Sequence, residues 1–239
     1  MSRYETENKE YFEFRNQFKD RSFTIDDLDH FSLFVGIHNF ARKKFIIDEF
    51  EKTLDVSGNI YEFGTWRGSI MMLLAGWYRL RRPQSNKIIY VFDTFEGLSD
   101  GTPDDGNAFQ KYTGRYTSDE NTIRDLVSRK GLDSYITFVV GDAFRTSKEH
   151  FSTAAFPKVS FALLDMDLYE PTKAAIDELL PNLTPQGKIL FDEGTSDTFE
   201  GEQKSLAYII DKAEKLGIHY SVEENHLTRQ PTTVFTRIK

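Results

Sequence analysis

Five short, near-continuous apolar runs recur along the chain: Ile60 to Phe63, Lys87 to Phe92, Tyr135 to Val140, Val159 to Leu164 and Lys188 to Phe191. Runs of that length without polar alternation predict strands covered on both faces, as in a parallel sheet. Between them the apolar period becomes helical. One such stretch runs from Gly68 to Leu80 and ends at Arg81-Arg82-Pro83; another opens at a Thr117-x-x-Glu120 capping box and stops at Gly131. Pro171 suits the first position of a helix reaching about Leu180, and the Thr184-Pro185-Gln186-Gly187 turn leads into the fifth strand. A last helix spans about Glu202 to Leu216 and ends at Gly217. The tail alternates, so Ile218 to Val222 and Thr233 to Ile238 read as two hairpin-like strands. Upstream, Phe34, Ile37, Ala41, Phe45, Ile46 and Phe50 give Phe31 to Leu54 an amphipathic helical stripe. The expectation is an α/β fold with a seven-stranded, mostly parallel sheet, flanking helices and an N-terminal helical extension. Residues 1–58 form an arm and helix; residues 59–239 form the main domain.

The stretch Asn59-Ile-Tyr-Glu-Phe-Gly-Thr-Trp-Arg-Gly-Ser-Ile70 is strand, glycine turn and helix start in twelve residues. Its pattern, Glu62-x-Gly64-x-x-x-Gly68, differs from the G-x-G-x-x-G of dinucleotide sites. A carboxylate beside the turn repels a pyrophosphate but suits an ammonium group and ribose hydroxyls. S-adenosylmethionine carries both. The same motif also reads as a plain turn joining strand to helix.

Composition narrows the setting. The chain has 239 residues, net charge −8, 21 Phe, 11 Tyr and no cysteine. Disulfides and thiolate chemistry are excluded, and the negative charge argues against a nucleic-acid partner held by its phosphates. No apolar run approaches the ~20 residues of a membrane span, and Met1-Ser-Arg-Tyr-Glu-Thr-Glu lacks a signal-like apolar core. A cytoplasmic protein is expected. Residues 1–30 mix charges with Tyr4, Tyr11, Phe12, Phe14, Phe18 and Phe23 without a period until about Asp27. They read as an arm packing on the domain or a neighbouring subunit, or as part of a lid. Leu98 to Tyr116, polar and aperiodic, reads as a functional or mobile loop.

Ligands of such sheets bind beyond the carboxyl ends of the strands. Glu62, Asp93, Asp142, Asp165, Asp167, Asp192 and Glu193 all stand there. Asp93 is placed to take both ribose hydroxyls. Asp142 could accept from an adenine amino group, with Phe144 or Phe95 against the ring, although each phenylalanine also reads as core packing. Thr65, Ser69, Thr94 and Ala143 adjoin these positions and complete the predicted cofactor set with Glu62, Gly64 and Gly68. Asp165, Asp192 and Glu193 form a hard-oxygen set that favours Mg²⁺ or Ca²⁺ over zinc. The alternative is that Asp167 and Asp192 cap helices. The five histidines show no ligand spacing.

On Tyr-Glu-Phe-Gly-Thr-Trp-Arg-Gly (61–68), Phe-Asp-Thr-Phe-Glu-Gly-Leu (92–98), Leu-Asp-Met-Asp-Leu-Tyr-Glu-Pro-Thr (164–172) and Phe-Asp-Glu-Gly (191–194), the chain resembles the class I S-adenosylmethionine methyltransferases. Within them it is similar to the macrocin/mycinamicin-type sugar O-methyltransferases and deoxysugar 3-O-methyltransferases. The resemblance implies a Rossmann-like sheet and a divalent metal at Asp165, Asp192 and Glu193, with Asp165 in a catalytic part. It also implies a homo-oligomer and a sugar hydroxyl as acceptor, often nucleotide-linked or glycosidic. Macrolide-type members carry a histidine after the Phe-Glu-Gly motif, where it can act as base. Residues 97–124 hold none here, so the resemblance identifies no base. Two other readings remain: a glycosyltransferase using Asp165-Met166-Asp167 as a metal-binding D-x-D, and a non-catalytic adenosyl-binding module.

Overall fold

In a computed structural model, residues 9, 12–14, 16–195 and 198–239 are described. Tyr4 and Tyr11 lie outside them. The chain builds α1 (Ile25–Asp29), α2 (Ile37–Glu51), β1 (Asn59–Phe63), α3 (Ser69–Arg81), β2 (Ile89–Asp93) and α4 (Glu120–Arg129). There follow β3 (Ile136–Val140), α5 (Ala143–Thr153), β4 (Val159–Leu164), α6 (Tyr169–Asn182), β5 (Leu183–Phe191), α7 (Glu200–Lys215), β6 (Tyr220–Glu224) and β7 (Thr233–Arg237). The sheet order is β3-β2-β1-β4-β5-β7-β6, with β7 antiparallel to both neighbours and every other pair parallel. The seven strands and their directions match the sequence expectation.

Strand alternation divides the core in two. Ile60, Val91, Phe161, Leu163 and Leu190 face α2, α3 and α4, where they meet Ile46, Phe50, Leu74, Tyr78 and Ile123. Tyr61, Phe63, Phe92, Ala162, Leu164 and Phe191 face α5, α6 and α7, against Phe151, Ile176, Leu180 and Ile209. Side chains two apart share a face. Continued past the strand ends, that parity sends Glu62, Asp93, Asp165 and Asp192 to the α2 side.

Several boundaries differ from the sequence reading. The first long helix begins at Ile37 rather than Phe31, preceded by a 3₁₀ turn at Phe31–Leu33. Of its apolar stripe, Ile46 and Phe50 are buried, whereas Ile37 is 70% exposed. The helix after the long loop is capped by Asp119, whose carboxylate accepts from the Asn121 N–H, and not by Thr117. α6 starts two residues before Pro171, and β5 already pairs at Leu183, across a register shift opposite Val159–Phe161. In the arm, Phe14 meets Phe18 edge-on, and Phe18 and Phe23 each meet Phe34 edge-on, at centroid distances of 5.1–5.6 Å.

Leu98 to Tyr116 carries more structure than its aperiodic sequence indicates. It holds 3₁₀ turns at Pro103–Asp105 and Ala108–Tyr112, and Phe109 packs with Leu168 and Phe199 in a small core of its own. Its ends are pinched together: Leu98 N–H donates to the Arg115 carbonyl (2.8 Å) and Gly114 N–H to the Leu98 carbonyl (2.8 Å). Gly97, at φ 90°, leaves no room for a Cβ, which would fall 2.4 Å from the Arg115 oxygen. Asp105, 1% exposed, ties the loop to the domain by accepting from the Tyr169 N–H and the Thr102 N–H, both at 2.6 Å. Asp105→Ala would orphan these donors at a cost of about 1–3 kcal/mol each, less whatever water recovers. We expect protease cleavage within residues 98–116 to accelerate well before global unfolding, read by peptide mapping of the variant beside the parent. Unchanged cleavage would show that the pinch alone holds the loop.

Candidate active site

β1 ends in the glycine turn because its backbone has to pass directly over the end of β4. At Gly64, φ is 82°, and a Cβ there would lie 1.8 Å from the Asp165 carbonyl oxygen. Beyond it, Thr65 N–H and Trp66 N–H both donate to Asp93 Oδ2 at 2.8 Å, while Phe95 N–H donates to Oδ1 at 2.7 Å. Asp93 therefore ties the loops after β1 and β2 together. Three donors on a carboxylate with roughly four acceptor positions leave about one for a ligand. Glu62, 1% exposed, sits beneath this turn with Oε2 unpartnered. Burial pushes its carboxyl up to about 8; Thr65 and Arg42 oppose the shift and Asp93 adds to it.

The carboxyl ends of β4 and β5 bring two acids side by side. Leu164 pairs with Phe191, which puts Asp165 and Asp192 at the next register position. Arg42 of α2 lies between them. Its Nη2 donates to Asp165 Oδ2 at 2.9 Å and to Asp192 Oδ1 at 2.8 Å, and its Nε reaches the same Asp192 oxygen at 3.3 Å. Burial lowers its pKa, and Asp192 and then Asp165 more than offset this, so the guanidinium stays charged. The acids are under strain even so. Burial, then Asp192, raises Asp165 well above the usual carboxylate range and Asp167 to about 7.

Glu193 turns elsewhere, accepting from Gln230 Nε2, and its N–H donates to Glu202 Oε1 at 2.9 Å. Among the described residues, no three carboxylates or histidines converge as ligands of one ion. The sequence reading expected Asp165, Asp192 and Glu193 to do so. Successive residues leave a strand on opposite faces, and a guanidinium already bridges the first two. The donor chemistry suits a hard cation; the arrangement brings together two of the three.

The other predicted positions fall around this edge. Asp142 caps α5, accepting from the Phe144 N–H at 2.9 Å, as a plain helix cap would. Phe144 is 59% exposed, whereas the Phe95 ring is buried and faces Phe138. Ser69 opens α3, Thr94 Oγ1 accepts from the Glu96 N–H, and Ala143 is buried at the start of α5. His150 is packed among Tyr61, Tyr90 and Phe92, and burial lowers its pKa. Two residues were not read from the sequence. Arg42 extends the buried stripe Phe50–Ile46 by one more step of four residues, a signal that was available. Glu202, 0% exposed and pushed up by burial and then Asp192, stands in the first turn of α7, where a glutamate ordinarily reads as solvated.

Arg42→Met should cost about 3 kcal/mol, the low end for a broken buried pair, by leaving the buried Asp192 and the half-buried Asp165 without a partner. The loss should be smaller at pH 6 than at pH 8, because protonation relieves the acids as pH falls. Urea denaturation at the two pH values checks this; a pH-independent cost would mean that the pair is isolated from the other acids.

The sequence profile described as macrocin O-methyltransferase (TylF) matches residues 6–203. Among curated relatives, the demethyldecarbamoylnovobiocin O-methyltransferase of Streptomyces niveus is 26% identical over 146 residues, 58% of this chain and 53% of its own length. The 8-demethyl-8-(2,3-dimethoxy-α-L-rhamnosyl)-tetracenomycin-C 4′-O-methyltransferase of Streptomyces olivaceus is 26% identical over 144 residues, with the same shares. The match thus spans about half the length of these relatives. In fold, the calicheamicin methyltransferase CalS11 superposes with a TM-score of 0.79 at 22% identity, covering 99% of this chain and 93% of its own. Its apo structure is described as that of a TDP-rhamnose 3′-O-methyltransferase. The fold is Rossmann-like, and the chain belongs to the macrocin O-methyltransferase (TylF) family.

Proposed function

We propose that this chain is an S-adenosylmethionine-dependent O-methyltransferase. Its acceptor is a hydroxyl of a deoxysugar, nucleotide-linked or glycosidic, in natural-product or surface-glycan biosynthesis. The observation that carries the reading is the division of the carboxyl edge. Glu62 and Asp93 lie under and beside the glycine turn, while Asp165 and Asp192 stand in register on the next two strands. The family match and the rhamnose-linked compounds named for its relatives support the same acceptor class. Bound S-adenosylmethionine supplies a methyl group on a sulfonium centre. Glu62 would take its ammonium group; Asp93 would hold the ribose while keeping Thr65 and Trp66 in place. Asp142, Ala143 and exposed Phe144 border the adenine side; Gly64, Gly68, Ser69, Thr94 and the Phe95 main chain border the rest. Much of such a step is orientation, which a prebuilt edge provides. A glycosyltransferase D-x-D is not favoured, because the family match is to an O-methyltransferase profile.

A divalent cation belongs to this reading. Asp165 and Asp192 would hold it in exchange for Arg42, Glu193 joining them only by leaving Gln230, and it would lower the pKa of sugar hydroxyls bound to it. Asp165, beside the acceptor, is the residue we assign to the catalytic centre. A homo-oligomer is also part of the proposal, supported by the exposed Ile25, Phe31, Leu33, Ile37 and Phe40 of the arm and α2; a monomer by sedimentation would remove it. Among the described residues no helix is long and apolar enough to cross a membrane.

Two measurements test the parts separately. At pH 7, Glu62 holds its proton, because its carboxyl titrates at about 8. A ligand ammonium lowers that value, so binding of S-adenosylhomocysteine should release up to about one proton and strengthen from pH 6 to 8. Calorimetry in buffers of different ionisation enthalpy reads the proton directly; release should vanish in Glu62→Gln, and no release in the parent would reject Glu62 as the ammonium partner. For the metal, EDTA and Asp192→Asn should each abolish methyl transfer while leaving S-adenosylhomocysteine affinity within about threefold. Full activity after EDTA treatment would remove the cation from the reading.

A further inference from the structure

Among the described residues, five non-glycine residues have positive φ, and four of them lie on the carboxyl-edge connections: Trp66 (49°), Phe95 (60°), Tyr116 (66°) and Asp167 (65°). Bulky residues in this region cost of order 1–3 kcal/mol each and persist where the surroundings over-determine them. Trp66 is over-determined. Its N–H donates to Asp93 at 2.8 Å, its carbonyl accepts from Ser118 Oγ at 2.6 Å, and its indole Nε1 donates to the Thr117 carbonyl at 3.2 Å. Yet the residue is 42% exposed, and its ring covers little core: the Arg67 guanidinium lies over one face, 4.8 Å from the centroid, which leaves the opposite face for a ligand.

Tyr116 meets that ring edge-on, with centroids 5.6 Å apart and planes at 81°. It is 39% exposed and backed by Tyr112 at 6.3 Å, nearly parallel. The two rings adjoin the acid end of β4, because Gly64, two residues before Trp66, passes against the Asp165 carbonyl, and the indole edge is bonded away to Thr117. A deoxysugar has the complementary surface. One face of the pyranose ring presents C–H groups and the methyl branch, while its rim presents hydroxyls. Aromatic faces bury the first, and carboxylates accept from the second.

We propose that Trp66 and Tyr116 form a platform for the C–H face of the acceptor sugar, holding its hydroxyls toward Asp165. This rests on the sugar-acceptor reading and adds to it the residues that select a sugar. The pair would prefer pyranoses with an uninterrupted apolar face, such as rhamnose, over those with an axial hydroxyl on that face. Trp66 and Tyr116 are positioning residues here; neither moves a proton.

The chain holds 2 tryptophans, so fluorescence can isolate the platform. Trp77 lies on α3 with its Nε1 bonded to Glu51 at 3.1 Å, and Trp77→Phe leaves Trp66 as the sole reporter. With S-adenosylhomocysteine present, TDP-rhamnose should shift or quench Trp66 emission saturably. Trp66→Ala and Tyr116→Ala should each raise KM for TDP-rhamnose at least about tenfold, the scale of one lost stacking contact, with kcat changed less. S-adenosylhomocysteine affinity should stay within about twofold, because the Trp66 main-chain donor to Asp93 survives truncation. Trp66→Phe should recover most of KM, which a purely structural role would not predict. A parent protein that neither binds nor methylates TDP-rhamnose overturns the sugar-acceptor reading for this nucleotide sugar, and the platform with it. A parent that does both, with KM unchanged in the two alanine variants, overturns the platform alone. Unchanged KM with altered sedimentation would assign the rings to a subunit contact instead.

Discussion

The arrangement of the carboxyl edge depends on one guanidinium. Arg42 reaches from α2 to Asp165 and Asp192, residues 123 and 150 positions away, and bridges them. Parallel pairing forces those two acids together, since neighbouring strands run about 4.8 Å apart and their ends are in register. Unbridged, they would repel in a site with little water. The same helix is fixed at its far end by Glu49, which pairs with the buried Lys188 of β5 at 3.1 Å. Between the two ion pairs lies Ile46, and Phe50 follows the second, both in the core. α2 is thus clamped across the sheet by charge at Arg42 and Glu49 and by apolar packing beside them. Such buried pairs are weak evidence of net stability, but they are strong determinants of register, because every misplacement leaves a charge unpaired.

That clamp also links the two halves of the site. The Arg42 charge reaches Glu62 and partly offsets the burial that keeps its proton on. Asp93 works in the opposite sense on Glu62 while holding Thr65, Trp66 and Phe95 by their main-chain N–H groups. Glu62 and Asp93 therefore share one electrostatic environment with Asp165 and Asp192, although they stand on different strands. A change at Arg42 is felt on both sides.

The sequence made the sheet legible because its strands are continuous apolar runs with few alternatives. Val159 to Leu164 is the clearest case, buried at every position and bounded as expected. The glycine turn was legible too, since only a residue without a Cβ can pass over the Asp165 carbonyl. Less was visible where structure comes from long-range partners. Leu98 to Tyr116 lacks a period because its order comes from two 3₁₀ turns, a pinch at Gly97 and the buried carboxylate of Asp105. Glu193 follows Asp192 directly, and adjacency in sequence suggested adjacency in space; the pairing with Gln230 was not readable from either residue. Arg42 was the nearest miss. Polar residues on a helix read as its solvent face, yet steps of four from Phe50 through Ile46 lead straight to it.

The acid edge has more negative groups than Arg42 can balance. Glu62, Asp165, Asp167 and Glu202 all hold their protons more tightly than ordinary carboxyls, with burial as the first cause in each. Such a set is stable in the folded chain chiefly by staying partly protonated. A ligand that brings positive charge or several hydroxyl donors relieves it, and the relief adds to that ligand's affinity. An anionic group seated among these acids would meet the reverse, whereas one held outside them, as the diphosphate of a nucleotide-linked sugar would be, does not. On the proposed reading the edge would select by charge before any side chain selects by shape: an ammonium under the glycine turn, and hydroxyl donors beside Arg42. Shape then falls to groups that carry no charge, and at this edge the large exposed ones are aromatic rings.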